Sequence, residues 1–393
     1  MQRHEYAWLI DATTNHLSMS EKIPLSRPSF DEQELQELES VLASGWVSQG
    51  PKVREFEESV ARYLGVSHAI AVTNCTAALH LALLSLGVGE GDEVLVADYT
   101  FPATGHAVLY CGAKPVFVDI DPATYNIDPA AIEDRITSRT KGIIPVHTFG
   151  QPAKMDAIVK IAKERNLFVV EDAACALGAR YQDTPAGTLG DVGCFSFHAR
   201  KGITTGEGGM IVTDDDELAA RMRHLSVFGM ETAWSRENGP AFTIPRFTDL
   251  GYNYKMSDIT AAVGVAQLRK IDAFIERRRE LAAYWDRRIA ELDAISAPRV
   301  DPAAFTVYQS YVAVLDRGVD RNRLIERLLK AGIQTQIGTY ASHIQPVYGA
   351  TESCEHSLDI YNRAISLPMF VTLTTEEIDR VVAELGNCLK DMP

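Results

Sequence analysis

Seven short apolar runs crowd the stretch between residues 69 and 213, and most of them are apolar without interruption. They are Ala69–Thr73, Glu93–Ala97, Pro115–Asp119, Gly142–His147, Leu167–Glu171, Val192–Phe197 and Gly209–Thr213. A strand with one wet face alternates apolar and polar residues, whereas a strand buried on both faces has no polar side to show. Amphipathic stretches of helical period separate the runs. The chain is therefore read as α/β, with one large, mostly parallel seven-stranded sheet. Asn74 suits the N-cap of the helix that follows the first run. Further helices are predicted over Asp128–Ile136, Met155–Glu164, Asp216–Arg223, Ser257–Lys270 and Ile271–Leu292. Beyond residue 300 the pattern changes to a smaller α+β region, with a strand at Val307–Leu315 and helices at Arg321–Ala331 and Thr374–Leu385. The expected organisation is an N-terminal arm (1–22), a large domain (23–275) and a small C-terminal domain (276–393), bridged by the helix that begins at Ile271.

Charge excludes one class of partner. Among 393 residues, 38 are Lys or Arg and 53 are Asp or Glu, a net charge of −15. A general nucleic-acid binder carries the opposite surplus. The six cysteines form no CxxC pair, so neither a metal site nor a disulfide framework is expected. No apolar run reaches membrane-spanning length. The N-terminal stretch lacks the apolar core of a secretory signal and carries Asp11. A cytoplasmic protein is expected.

Three segments carry chemistry. In FSFHARKGITTGEGG (195–209) a strand ends, Lys201 follows, and a glycine-rich turn leads into another strand. A lysine fixed just beyond a buried strand suits Schiff-base formation, although most loop lysines merely face solvent. In LFVVEDAACALG (167–178) Asp172 stands where a strand meets its loop, the end at which open α/β sheets bind ligands. A carboxylate there can hold a protonated pyridine nitrogen; a helix-capping aspartate is the plainer alternative. In VTNCTAAL (72–79) a strand turns into a helix through small residues. The N–H groups of Asn74 to Ala77 and the Thr76 hydroxyl can cradle a phosphate. The lysine of a P-loop is missing.

Phosphate turn, then aspartate, then a lysine 29 residues later (201 − 172) is an order that resembles the fold type I pyridoxal-phosphate enzymes. In detail the chain resembles the DegT/DnrJ/EryC1/StrS sugar aminotransferase family, from about Pro24 to Leu385. Further matching stretches are GWVSQGP (45–51), FEE (56–58), YTFPAT (99–104), HTFGQPAKMD (147–156), GYNYKM (251–256) and SLP (366–368). The resemblance implies a cofactor, pyridoxal 5′-phosphate (PLP). It implies that Lys201 forms the internal aldimine and that Asp172 binds the pyridine nitrogen. Phe101 would stack on the ring, and Thr76, Ala77 and Ser196 would hold the phosphate. Asn253 would reach that phosphate from a neighbouring subunit, which makes a homodimer the working unit. The implied reaction is a ping-pong transfer of an amino group, with glutamate as donor and a nucleotide-linked keto-sugar as acceptor. Burial and nearby positive charge are expected to lower the pKa of Lys201, so that its amine acts as a base near neutral pH.

Departures from the family pattern matter as much. Cys175 stands where the family often has a glutamine touching the cofactor's phenolic oxygen, and a thiol is a weak hydrogen-bonding group. Lys255 replaces an arginine, keeping the charge but losing the planar fork. Around the substrate, His198, Glu207, Lys255 and His343 are candidates, with Arg246 and the Arg277–Arg279 run as further cations. That run reads more simply as a solvated helix face. His147 reads as a core or cofactor-side histidine, since no second ligand sits at metal spacing. Three rivals remain. A sugar dehydratase of the same family would carry histidine in place of Lys201. A non-catalytic regulatory PLP-binding protein would show a damaged site or an attached DNA-binding module. A desulfuration or elimination enzyme would need a mobile catalytic cysteine.

Overall fold

The computed structural model describes residues 22–231 and 244–391. Almost all of the expected arm, residues 1–21, lies outside the described residues. Seven strands form one sheet: β1 (His68–Val72), β2 (Glu93–Ala97), β3 (Lys114–Val118), β4 (Thr140–Ile144), β5 (Phe168–Asp172), β6 (Val192–Ser196) and β7 (Gly209–Thr213). Their order across the sheet is β1-β7-β6-β5-β4-β2-β3. Only β7 runs against its neighbours; β6-β5-β4-β2-β3 are parallel throughout.

Alternate residues of these strands enter two different cores, which is why the runs have no polar face. Ile70, Val72, Cys194 and Ile211 pack with Leu79 and Leu83 of the helix Cys75–Ser85. Ala69, Ala71, Phe195, Met210 and Val212 pack on the other side with Phe56, Val60 and Val265. The Asn74 cap forms as read, with its side chain accepting from the Ala77 N–H at 2.8 Å.

A second sheet of four strands, all antiparallel, joins Ile295–Ser296, Tyr311–Leu315, Ala364–Leu367 and Gln336–Ile337 in that order. The helices Arg321–Lys330 and Thr375–Lys390 cover it, burying Leu324, Leu328, Ile378, Val381 and Leu385. The long helix Ile271–Ile289 serves both cores. Ile271, Phe274 and Ile275 belong to the core of the large sheet, while Leu281, Trp285 and Ile289 belong to that of the small one.

Two expected elements change. The helix read over Asp128–Ile136 is instead a pair of 3₁₀ turns, Pro129–Ala131 and Glu133–Arg135. Pro129 and Ile132 are its only buried residues, so no apolar stripe anchors a longer helix. The strand begun at Val307 starts at Tyr311, because Tyr308 takes a positive φ of 47° that breaks the extended chain. Four helices were not read from the sequence: Glu32–Ser44, Pro51–Leu64, Ala103–Tyr110 and Glu355–Arg363. None of the described helices is long and apolar enough to cross a membrane.

Candidate active site

Register brings the three motifs together. Val72 pairs with Gly209, and Gly209 pairs with Ser196, so the ends of β1 and β6 and the start of β7 form one row. Asp172 lies opposite Cys194 on the next strand and is 5% exposed. The phosphate turn, Asp172 and the β6–β7 loop carrying Lys201 thus share one end of the sheet. This is the carboxyl end of the parallel strands, where such sheets bind ligands.

The glycine-rich run has a steric reason. A Cβ at Gly209 would lie 2.5 Å from the Asn74 carbonyl carbon and 2.8 Å from the Cys75 nitrogen. The turn therefore sits directly on β7 through Gly209, while Gly206 supplies a left-handed φ of 83°. Gly209→Ala is expected to push the turn outward, destabilising the chain by about 1–3 kcal/mol and weakening phosphate capture. Thermal melting and a PLP titration read the two effects. A variant matching wild type in both would refute the cradle. The Ala77 N–H departs from expectation: it is taken by Asn74, so it is not a free donor. The N–H groups of Cys75 and Thr76 and the Thr76 hydroxyl have no partner among the described residues. These remain the turn's open donors.

Asp172 is oriented from two sides. Thr104 Oγ1 donates to its Oδ2 at 2.7 Å, and the Ala174 N–H donates to its Oδ1 at 3.2 Å. Thr104 belongs to the YTFPAT stretch but had no role from sequence. Phe101, three residues earlier, keeps its ring 64% exposed and meets Tyr340 edge-on at 6.2 Å. Its carbonyl accepts from the same Thr104 hydroxyl at 3.2 Å, and an exposed aromatic face suits a flat aromatic ligand.

Lys201 is held in place through its backbone. Its N–H donates to the His198 carbonyl, and Gln309 Nε2 donates to the Arg200 carbonyl at 2.6 Å. Arg278 donates to the Gly202 carbonyl at 2.9 Å and to the Lys201 carbonyl at 3.4 Å. The solvated-face reading of Arg277–Arg279 therefore fails at Arg278, which is 6% exposed and whose pKa burial lowers to about 10. Nor are its neighbours free cations. Arg277 binds the Leu373 carbonyl and Glu280, and Arg279 binds the Thr306 carbonyl and stacks over Phe305.

The Lys201 amine donates to Cys175 Sγ at 3.1 Å. Burial pulls its pKa down, but the Cys175 sulfur and the Asp172 carboxylate raise it by more, so the net shift is upward. The expected lowering is thus not found in the chain alone, because Cys175 and Asp172 favour the charged form of Lys201 by more than burial disfavours it.

The other candidates fall into separate groups. The half-buried His198 and the exposed Glu207 approach to 3.8 Å, with the His198 ring also accepting from the Arg200 N–H. The Ser196 hydroxyl accepts from the His198 N–H at 3.4 Å. Lys255 binds the Asn253 side-chain oxygen and lies over the Phe228 ring. Their segment is tied to β1 by the Thr73 N–H to the Tyr254 carbonyl, 2.7 Å. Arg246 meets Glu231 at 3.8 Å. His147 is wholly buried: its Nδ1 accepts from the Ala153 N–H, so Nε2 carries the proton and donates to Glu171. It is a core histidine.

His343 is paired with the buried Asp98 through Nδ1 at 2.8 Å, and its backbone N–H binds the same carboxylate. Cys354 Sγ lies within 4.8 Å of both ligand atoms, which makes this the only possible metal cluster among the described residues. The hydrogen bond to Asp98 raises the pKa of His343. A raised folded-state pKa stabilises fully below the unfolded value of about 6.5 and is lost as pH rises through the folded value. The stability gap between wild type and His343→Asn is therefore expected to be widest near pH 6 and to close in alkali. Urea unfolding across pH checks this; a gap that widens with pH would overturn it.

The sheet order, the aspartate and the lysine loop define the class: a fold type I transferase. The chain belongs to the DegT/DnrJ/EryC1/StrS aminotransferase family, whose model matches residues 28–386. It is 40% identical to the GDP-perosamine synthase of Caulobacter vibrioides over 377 residues, 94% of this chain and 98% of that one. Among solved structures, the aminotransferase TlmJ from Streptoalloteichus hindustanus superposes with a TM-score of 0.88 at 33% identity, covering 94% of this chain and 99% of that one. DesI, solved in the presence of its TDP-sugar product, gives 0.85 at 35%, covering 94% and 93%.

Proposed function

We propose that this chain transfers an amino group from an amino acid, glutamate in our reading, to a keto-sugar carried on a nucleotide. One observation carries the reading: a lysine amine whose one hydrogen-bond partner among the described residues is a sulfur, at the same sheet end as a buried carboxylate and a turn with open N–H donors. These residues fit PLP. The open donors of Cys75 and Thr76 with Ser196 suit its phosphate, Phe101 its ring face, Asp172 its ring nitrogen and Lys201 its aldehyde. When bound, PLP supplies an electron-poor ring that accepts the electron pair of the donor's Cα–H bond.

The chain's own residues do the rest. Asp172, oriented by Thr104, keeps a proton on the ring nitrogen. Lys201 Nζ would take the proton from the donor's α-carbon and deliver it to the cofactor's C4′, and on the acceptor side would carry a proton from C4′ back to the sugar's carbon. Cys175, in place of glutamine, offers the site only a weak hydrogen bond. His198, Glu207, Lys255 and His343 are proposed to meet the substrates. Asn253 is proposed to act across a homodimer interface, in a cytoplasmic protein. Residues 23–275 and 276–393 are proposed as its two domains.

Two relatives support the sugar, since one is a GDP-perosamine synthase and another was solved with a TDP-sugar product. The dehydratase rival is disfavoured by Lys201 itself. The test is direct. Glutamate should bleach the visible absorbance of the PLP-loaded enzyme, and a nucleotide keto-sugar should restore it while gaining an amino group by mass spectrometry. Failure to respond to any amino donor would end the proposal.

A further inference from the structure

We propose that Cys175 and Lys201 form a redox-modification site: in the cofactor-free chain, an oxidant of the hydrogen peroxide class joins Cys175 Sγ to Lys201 Nζ through a sulfur–nitrogen bond. The two atoms lie 3.1 Å apart, and Cys175 is the one hydrogen-bond partner of the lysine amine among the described residues. Both backbones are fixed, so the pair is preset. On one side the Ala174 N–H binds Asp172 and the Ala176 N–H binds the Ala173 carbonyl. On the other, Arg278, Gln309 and the His198 carbonyl hold the lysine loop.

The remaining cysteines set Cys175 apart. Cys75, Cys194, Cys354 and Cys388 are buried, and burial raises the thiol of Cys111 to about 12. Such thiols stay protonated and inert. Cys175 is only half-buried, and none of the other sulfurs donates to or accepts from an amine.

The chemistry balances in two steps. The Cys175 sulfur attacks a peroxide oxygen: an S–O bond forms, the O–O bond breaks, sulfur is oxidised by two electrons and one water leaves. The Lys201 nitrogen, having released its extra proton to solvent, then attacks the sulfur. The S–N bond forms, the S–O bond breaks, and the hydroxyl departs as water with a hydrogen from the nitrogen. Condensation of a sulfenic acid with a backbone nitrogen is an established reversible step on the cysteine oxidation ladder, and here the lysine amine takes that nitrogen's place. The chain loses two hydrogens and the peroxide becomes two waters. The consequence for activity rests on the reading of Lys201 as the cofactor-bearing lysine: a lysine bonded to sulfur can no longer take up PLP, and bound PLP shields the lysine.

The test uses the full chain stripped of cofactor and treated with hydrogen peroxide. Intact mass and non-reducing peptide mapping should show a loss of two hydrogens and a cross-linked pair of peptides containing Cys175 and Lys201. Dithiothreitol should reverse it. Cys175→Ser and Lys201→Gln should abolish it, and Cys75→Ser should leave it intact, with circular dichroism confirming that each variant is folded. PLP uptake, read from visible absorbance, should fall in proportion to the cross-link. A Cys75–Cys175 disulfide, a Cys175 that proceeds to sulfinic acid, or no change in mass would overturn the proposal. A cross-link that forms equally well with PLP present would leave the modification standing and count instead against Lys201 as the cofactor lysine.

Discussion

Lys201→Ala is expected to abolish transamination, lowering kcat by about four orders of magnitude or more. Two functions leave together: the nucleophile that would carry PLP and the base that moves the α-proton. The fold should survive. Among the described residues the side chain's one hydrogen-bond partner is Cys175, and the loop keeps its anchors from Arg278, Gln309 and Gln267, the last accepting from the Thr204 N–H. An unchanged urea midpoint alongside lost turnover would separate chemistry from stability. Visible absorbance offers an independent readout, since PLP held without Lys201 should show an altered band. Cys175→Ala is the natural companion. It removes the amine's hydrogen bond and one upward pull on its pKa, and should leave most of the turnover. Retention of turnover within about tenfold in Lys201→Ala would refute the role assigned to this lysine.

How much of this was legible beforehand follows from what each signal depends on. The seven strands were readable because burial on both faces leaves uninterrupted apolar runs; Glu93–Ala97 and Gly209–Thr213 match residue for residue. Asp172 and Lys201 were readable because each stands at a fixed place after a strand. Arg278 was misread for an equally physical reason. A run of three arginines on a helix carries no mark of which one turns inward, and the carbonyls that receive Arg278 lie 76 and 77 residues away in sequence. The same holds for Thr104, which finds Asp172 across 68 residues. The shift at Lys201 went the wrong way because the sequence names the lysine but not the charges around it. Gly209 was visible as a glycine, while its reason, contact with the Asn74 turn, exists only once β1 and β7 are paired.

The largest stability effect is expected at a residue without chemistry of its own. Glu171 is wholly buried beside Asp172, and both its oxygens are engaged. Oε2 accepts from His147 Nε2 at 2.7 Å and from the Gly187 N–H at 2.8 Å; Oε1 accepts from the Leu189 and Gly190 N–H groups, each at 2.6 Å. One side chain thus closes the turn that leads into β6 and fixes the imidazole of His147, just beyond the end of β4. Glu171→Ala orphans three backbone donors and one imidazole N–H, each costing about 1–3 kcal/mol when left unsatisfied. Water entering the space recovers part of this, so we expect a loss of about 4 kcal/mol or more, against a typical total of about 5–15. Glu171→Gln should fall between, because its amide keeps one acceptor but turns an N–H₂ toward groups that themselves donate. PLP binding should weaken in step, since the Asp172 backbone bonds the Pro145 carbonyl and the His147 N–H within the same web. Urea unfolding and a PLP titration on the two variants decide it. A Glu171→Ala chain within about 1 kcal/mol of wild type would mean that the turn after β5 is held by something other than this carboxylate.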